Sequence, residues 1–372
     1  MKEITPKSLR CCFILLLALA GICRPLTGTA QYNFTRVDQW LDDNVAVLGG
    51  RTIMAVYKDG KLVYTHAVTD MSFKQKIAGR LIAKRQGKAF NENDYTLSTK
   101  LPIASCSKWL SAALVMTLVD EGKLQLTDTV GKYLPVMSKK GKGKITIAQC
   151  LSHLTGIKEP GLKESLREMK DFNTMDEAIN YIAGLPVEGQ PGKVFHYSNA
   201  GLQIAGAVVE KISGKNFQKV FAERIAGPLN MKHTDWGTRT LAMPAGGAFS
   251  TAEDYINFMT MLLNKGVYNG KRILSENSVA AMQVNRITKD VKIAYTPDEA
   301  ASLGYGFGEW VMDGTVVNGL SKSVSSPGLF GGFPWVDNEK KYAAVLMTVN
   351  LKADGRQDRY KQLKQLVDAA IH

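Results

Sequence analysis

Cysteine is scarce in this chain of 372 residues. There are five, and three of them (Cys11, Cys12 and Cys23) fall in the first thirty residues. The other two, Cys106 and Cys150, are too few for a disulfide framework and read as buried thiols, a single bridge between them being the alternative. The five histidines, His66, His153, His196, His233 and His372, show no metal-ligand spacing, so neither a metal nor another cofactor is expected. No apolar run is long enough for a stable membrane span, and there is no low-complexity tract or repeat period. Acidic residues are outnumbered, 34 against 47 basic ones, for a formal charge of +13. The excess gathers in Lys74–Lys88 and Lys139–Lys144. Neither run has the interleaved aromatics of a nucleic-acid binder, so no nucleic-acid partner is expected; attraction to an anionic surface or substrate stays open.

What is present begins with a leader. Lys2, Lys7 and Arg10 precede the apolar stretch Cys11 to Ala20, and Gly28-Thr29-Ala30 offers small residues before Gln31. That order is the pattern of a secretory signal peptide over residues 1–30, which would place the mature chain in the periplasm or outside the cell. Ile22 stands where a small residue is wanted and argues against lipid attachment at Cys23. Cleavage would remove four cations and one anion and leave a protein that is still basic.

Residues 51–67, RTIMAVYKDGKLVYTHA, spell two β-rich runs about Asp59-Gly60, a strong hairpin signal. Helix-like spacing precedes them over 35–48, whereas 68–100 is polar and basic with little period. From Ser105 to about Gly214 the pattern is mainly helical. It comprises a long apolar helix over 105–121, a short apolar stretch at 145–154, and helices at 175–183 and 199–212. Further helices are expected at 217–226 and at 251–265, the latter capped by Thr251. The aromatic- and Gly-rich segments 304–312 and 329–337 and the apolar run 342–350 read as strands, and 357–370 as a closing helix. Trp109, Trp310 and Trp335 read as core, with pocket-lining the alternative for Trp310 and for Phe330. Strands at both ends and helices between them predict an α/β protein of the α+β type. A mixed, largely antiparallel sheet is flanked by helices, with a mainly helical domain inserted. The expected boundaries are 31–104 for the first part of the α/β domain, 105–285 for the helical domain and 286–372 for the second part.

The chemistry concentrates in Ser105-Cys106-Ser107-Lys108. A serine hydroxyl needs an adjacent base to become a nucleophile. Lys108 lies one turn after Ser105 on the same helix face, among apolar neighbours that would lower its pKa. The plain reading is an N-cap serine and a surface lysine; the sharper one is the Ser-x-x-Lys pair of an acyl-transfer enzyme. A second group, Tyr197-Ser198-Asn199, follows a Pro-Gly turn and precedes a helix. The similar Tyr255-Ile256-Asn257 lies within an amphipathic helix and reads as packing. His153 and His196 are weak candidates for a Ser-His-Asp triad because Lys108 already fills the base's place.

Four blocks in order resemble the serine β-lactamase-like superfamily, on its class C and carboxylesterase side. They are IASCSKWLSAALVMTLVDEGKLQLTDTVGKYLP, ITIAQCLSHLTGI, PGKVFHYSNAGLQIAGAVVEKISG and GGAFSTAEDYINFMTMLLNKG. The resemblance covers nearly all of residues 45–365. It implies Ser105 as nucleophile, Lys108 as its base partner, Tyr197 as general base or proton shuttle and Asn199 as a polar orienting residue. The family's third motif falls at Ser326-Pro327-Gly328, which implies an oxyanion hole from the N–H groups of Ser105 and Leu329. The alternative register, Phe330-Gly331-Gly332, would move the second donor to Phe333. Ser326 stands where the family carries a cation for the carboxylate of β-lactams and peptides, and Lys322 is the residue that could compensate. The resemblance therefore implies an exported serine hydrolase of small esters or amides, carboxylesterase-like. The alternatives are a class C-like β-lactamase or D-amino-acid peptidase, and a penicillin-binding or sensor domain that acylates without turnover.

Overall fold

The hairpin foreseen around Asp59-Gly60 opens the sheet. Strands β1 (Arg51–Lys58) and β2 (Lys61–Thr69) meet across a two-residue turn whose φ values are +51° and +80°. Two left-handed residues in succession give a turn whose twist matches the strands it joins, and Asp-Gly tolerates that conformation. The remaining sheet strands all come from the C-terminal quarter. They are β3 (Gly304–Tyr305), β4 (Trp310–Val311), β5 (Ser323–Ser325), β6 (Phe333–Asp337) and β7 (Tyr342–Thr348). Their order is β2-β1-β7-β6-β5-β4-β3. Every neighbouring pair is antiparallel. β1 lies beside β7, with Thr52 opposite Thr348 and Lys58 opposite Tyr342, so the hairpin and the C-terminal strands share one sheet. The computed structural model describes residues 32–371 apart from 86, 88 and 169–171, and the leader reading for 1–30 lies outside them.

The principal helices are α1 (Thr35–Asn44), α2 (Phe73–Arg85), α3 (Ser107–Asp120), α4 (Ala200–Ser213), α5 (Ala252–Leu263) and α6 (Arg356–Ala370). Helices dominate the chain between β2 and β3, and contacts gather everything from Asn33 onward into one unit. α1 and α6 pack together against one face of the sheet, where Phe333 of β6 stacks on Tyr360 with ring centroids 4.1 Å apart. The other face presents Ile53, Ala55, Val336, Val345 and Met347 to the main core, which α5 and α3 complete. α3 is buried on every side from Ser107 to Leu118, as its apolar composition requires. Among the described residues no helix is long and apolar enough to cross a membrane.

Three local readings change. α2 occupies a stretch read as polar with little period; Phe73, Ile77 and Leu81 do recur at i, i+4 and i+8, but they face solvent rather than the core. Ser105 lies in a 3₁₀ turn, Ala104–Cys106, and α3 proper starts at Ser107. Residues 194–196 pair in parallel with 292–295, a contact between segments a hundred residues apart that no local pattern announces.

Candidate active site

Ser105 is carried on a turn under backbone constraint. Ala104, immediately before it, has φ +46°, a conformation uncommon for a residue with a Cβ. Ser107 holds that turn from below: its hydroxyl donates to Ala104 O at 2.6 Å and accepts from Ala248 N–H at 3.1 Å. Ile103 N–H donates back to Ala248 O at 3.0 Å. The nucleophile candidate is thus stapled to residues 244–248, and its own side chain stays half-buried and reachable.

Lys108 projects from the first turn of α3 and is only 1% exposed, which rules out a surface lysine. Its Nζ lies 3.1 Å from Ser105 Oγ, 3.2 Å from Asn199 Oδ1 and 2.8 Å from Ala245 O. Burial lowers its pKa from 10.5 to about 7, with the charge of Glu159 acting in the opposite direction. A neutral amine has two N–H donors and one lone pair. Ala245 O and Asn199 Oδ1 can take the two protons, which leaves the lone pair facing Ser105 Oγ. Asn199 is itself fixed as the N-cap residue of α4, since Glu159 Oε2 accepts from Asn199 N–H at 2.6 Å and from Ala200 N–H at 3.0 Å.

Tyr197 completes the group. Its ring centroid lies 4.8 Å from Lys108 Nζ. Burial raises its pKa well above 10, and the neighbouring Ser105 side chain only partly opposes the rise, so the phenol is neutral at ordinary pH. Trp310 and His153 hold the ring at centroid distances of 5.0 and 4.7 Å. His153 has φ +58° and is buried; its Nε2 meets Tyr305 OH at 3.0 Å and its Nδ1 accepts from Ser198 N–H at 3.4 Å. Burial, aided by Lys108 and His196, lowers its pKa well below 6.5, so it buttresses Tyr197 as a neutral ring. His196 turns Nδ1 to Glu188 at 2.6 Å. Tyr255, in the discounted copy of the motif, is buried in α5 and donates to Cys106 O at 2.8 Å.

The third segment also reaches Ser105. Ser326 is 2% exposed, and its hydroxyl faces Gly308 O at 3.0 Å and Ser105 O at 3.3 Å. It braces the backbone of the Ser105 turn rather than pointing out at a ligand. A Cβ on Gly328 would lie 2.3 Å from Ile103 O and 3.1 Å from Cys106 Sγ, so only glycine lets this turn approach the 103–106 segment. Gly328 and Gly331 spend their N–H groups within the turn, on Gly332 O and Gly328 O, both at 2.9 Å; Leu329 lies between them. Phe333, the donor of the alternative register, lies in β6 opposite Leu346, its ring stacked on Tyr360 of α6. Lys322, foreseen as a compensating cation, is paired with Glu339 at 2.8 Å. Cys106 and Cys150 are both free and buried.

Three contributors escaped the sequence reading: Ser107, the Ala245 carbonyl and Glu159. Ser107 sits beside residues that were singled out, but nothing local distinguishes a bracing hydroxyl. The other two act across sequence gaps of forty residues or more, as a backbone oxygen and a capping carboxylate, and neither leaves a spacing signature.

The Beta-lactamase family model matches residues 37–367, so the chain belongs to the β-lactamase family of serine hydrolases. Protein Rv1367c of Mycobacterium tuberculosis is 27% identical over 291 residues, 64% of this chain and 72% of that protein. A provisionally named β-lactamase from Bacteroides dorei DSM 17855 superposes with a TM-score of 0.74 at 26% identity, covering 91% of this chain and 99% of the other. A family VIII carboxylesterase shares the fold, with a TM-score of 0.69 at 17% identity over 91% and 97% of the two chains.

Proposed function

We propose that the protein is an exported, carboxylesterase-like hydrolase that cleaves small esters or amides through an acyl-enzyme on Ser105. The observation that carries this reading is the buried Lys108 amine 3.1 Å from Ser105 Oγ, with its pKa lowered to about 7. Lys108 acts as the base because about half of it is neutral near pH 7, whereas the high pKa of Tyr197 suits a proton relay. Ser105 attacks the carbonyl as its proton passes to Lys108. The N–H groups of Ser105 and Leu329 hold the oxyanion. The proton moves through Tyr197 to the leaving group, and water then releases the acyl group by the reverse relay. The ester preference rests on Ser326 and Lys322: neither offers a free cation for a substrate carboxylate, the first being neutral and the second paired with Glu339. That the fold also serves a carboxylesterase is consistent with this preference.

The test uses purified protein, a chromogenic short-chain ester and nitrocefin, with intact mass following the adduct. The expected result is steady ester turnover, slow or no nitrocefin hydrolysis, and an acyl adduct on Ser105 that disappears in Ser105→Ala. Efficient nitrocefin turnover would favour the β-lactamase reading, and a permanent adduct the sensor reading. Export is supported by the pattern of residues 1–30 and predicts a periplasmic or secreted product beginning at Gln31.

A further inference from the structure

α2 is the feature the active site leaves unexplained. Its thirteen residues, FKQKIAGRLIAKR, contain five cations and no acid. Phe73, Ile77 and Leu81 are 75%, 41% and 55% exposed, a ridge along one side of the helix. At 100° per residue, Lys74 and Arg85 flank that ridge on one side and Arg80 on the other, while Lys84 continues it. Gln75, Gly79 and Ala83 face the body, where the Phe90 ring presses so close to Gly79 that a Cβ there would lie 2.3 Å from it. The helix is therefore seated with its apolar ridge outward. Glu92 engages Arg80 and Lys76, and among the described residues no carboxylate pairs with Lys74, Lys84 or Arg85.

A second apolar group adjoins it. Val47, Val349 and Leu351 are 52%, 39% and 66% exposed. Gly49 and Gly50 connect the two groups: a Cβ on Gly49 would meet Val349 O at 2.7 Å, and one on Gly50 would meet Gln75 Oε1 of α2 at 2.9 Å. This is also the end of the sheet that carries the turn over the nucleophile, since Asn350 N–H donates to Phe330 O at 2.8 Å.

We infer that α2 docks the protein on an anionic lipid surface, its apolar ridge entering the interface and its flanking cations meeting the headgroups. Bulky side chains that project into solvent between lysines and arginines satisfy both terms of interfacial binding, apolar burial and attraction to anionic lipid. A protein partner would need complementary acidic and apolar surface, whereas an anionic bilayer supplies both at once. A second copy of this basic chain would bring like charges together.

Vesicle flotation tests this with the full chain, comparing phosphatidylcholine vesicles with and without about a third phosphatidylglycerol, at about 0.1 M and 0.5 M salt. The expected result is binding to the anionic vesicles that weakens at the higher salt. It should fall about tenfold in the Phe73→Ser/Ile77→Ser/Leu81→Ser variant and in the Lys74→Glu/Lys84→Glu/Arg85→Glu variant. All three proteins share residues 1–31, so the differences report on α2 alone. Each variant should keep wild-type turnover of a soluble ester, which verifies its fold. Equal binding to both vesicle types would overturn the inference, as would apolar and charge variants that both bind like wild type. So would a concentration-dependent dimer, abolished in the first variant, without vesicle binding.

Discussion

A buried amine poised to lose its proton makes the site sensitive to pH in a defined direction. In the proposed mechanism Lys108 acts as base only when neutral, so acylation should rise as pH passes through about 7 and level off above it. The negative charge of Glu159 raises the Lys108 pKa, so Glu159→Gln should move that inflection to lower pH. A pH profile of kcat/KM on wild type and variant checks both. The same shift reaches stability. The folded pKa is depressed below 10.5, so between pH 7 and 10.5 the unfolded chain binds more protons at this residue and folding stability rises with pH. Lys108→Met should lose that part of the slope between pH 7 and 9.5 in denaturant titrations, and should lower turnover by on the order of a thousandfold. A surface lysine would move neither.

At the scale of elements, the site depends on three chain segments touching over glycine. The turn at Gly328 packs on Ile103 O and Cys106 Sγ with no space for a Cβ. Gly328→Ala should push the Leu329 N–H away from Ser105, lowering kcat about a hundredfold with a smaller change in KM, as loss of an oxyanion donor does. Gly308, at φ +76°, meets Lys108 O and Ala112 Cβ in the same way from the other side of α3. These contacts mark the limit of what was legible. The hairpin, α3, α4, α5 and the strands β6 and β7 were readable because each carries its own period, turn or cap. Ser105, Lys108, Tyr197 and Asn199 were readable because they sit in short motifs, and the structure brings the four together. The orientation of Ser326 was not, since a residue type says what a side chain can donate but not which carbonyl faces it. α2 was missed because a helix with its apolar side outward presents the period of a buried helix in the company of an exposed loop.

For the molecule as a whole, the sheet separates two tasks. The face toward α3 and α5 borders the Ser105–Lys108 group, and the face toward α1 and α6 fastens those two helices to the sheet. On that outer side Asp337, 1% exposed at the end of β6, accepts from Lys364 of α6 at 2.7 Å and from Lys340 N–H at 2.7 Å. Lys364 also meets Asp368 at 2.9 Å, and Asp368 accepts from Tyr342 OH at 2.8 Å. Removing one partner of a buried pair strands the other charge, so Lys364→Ala should cost about 3 kcal/mol in chemical denaturation. It should leave kcat and KM for the ester unchanged, because α6 lies across the sheet from Lys108. Asp337→Asn in the Lys364→Ala background should restore much of the loss, since it removes the stranded charge, and the double-mutant cycle isolates the coupling. If Lys364→Ala instead lowered kcat at unchanged stability, the division of labour between the two faces would be wrong.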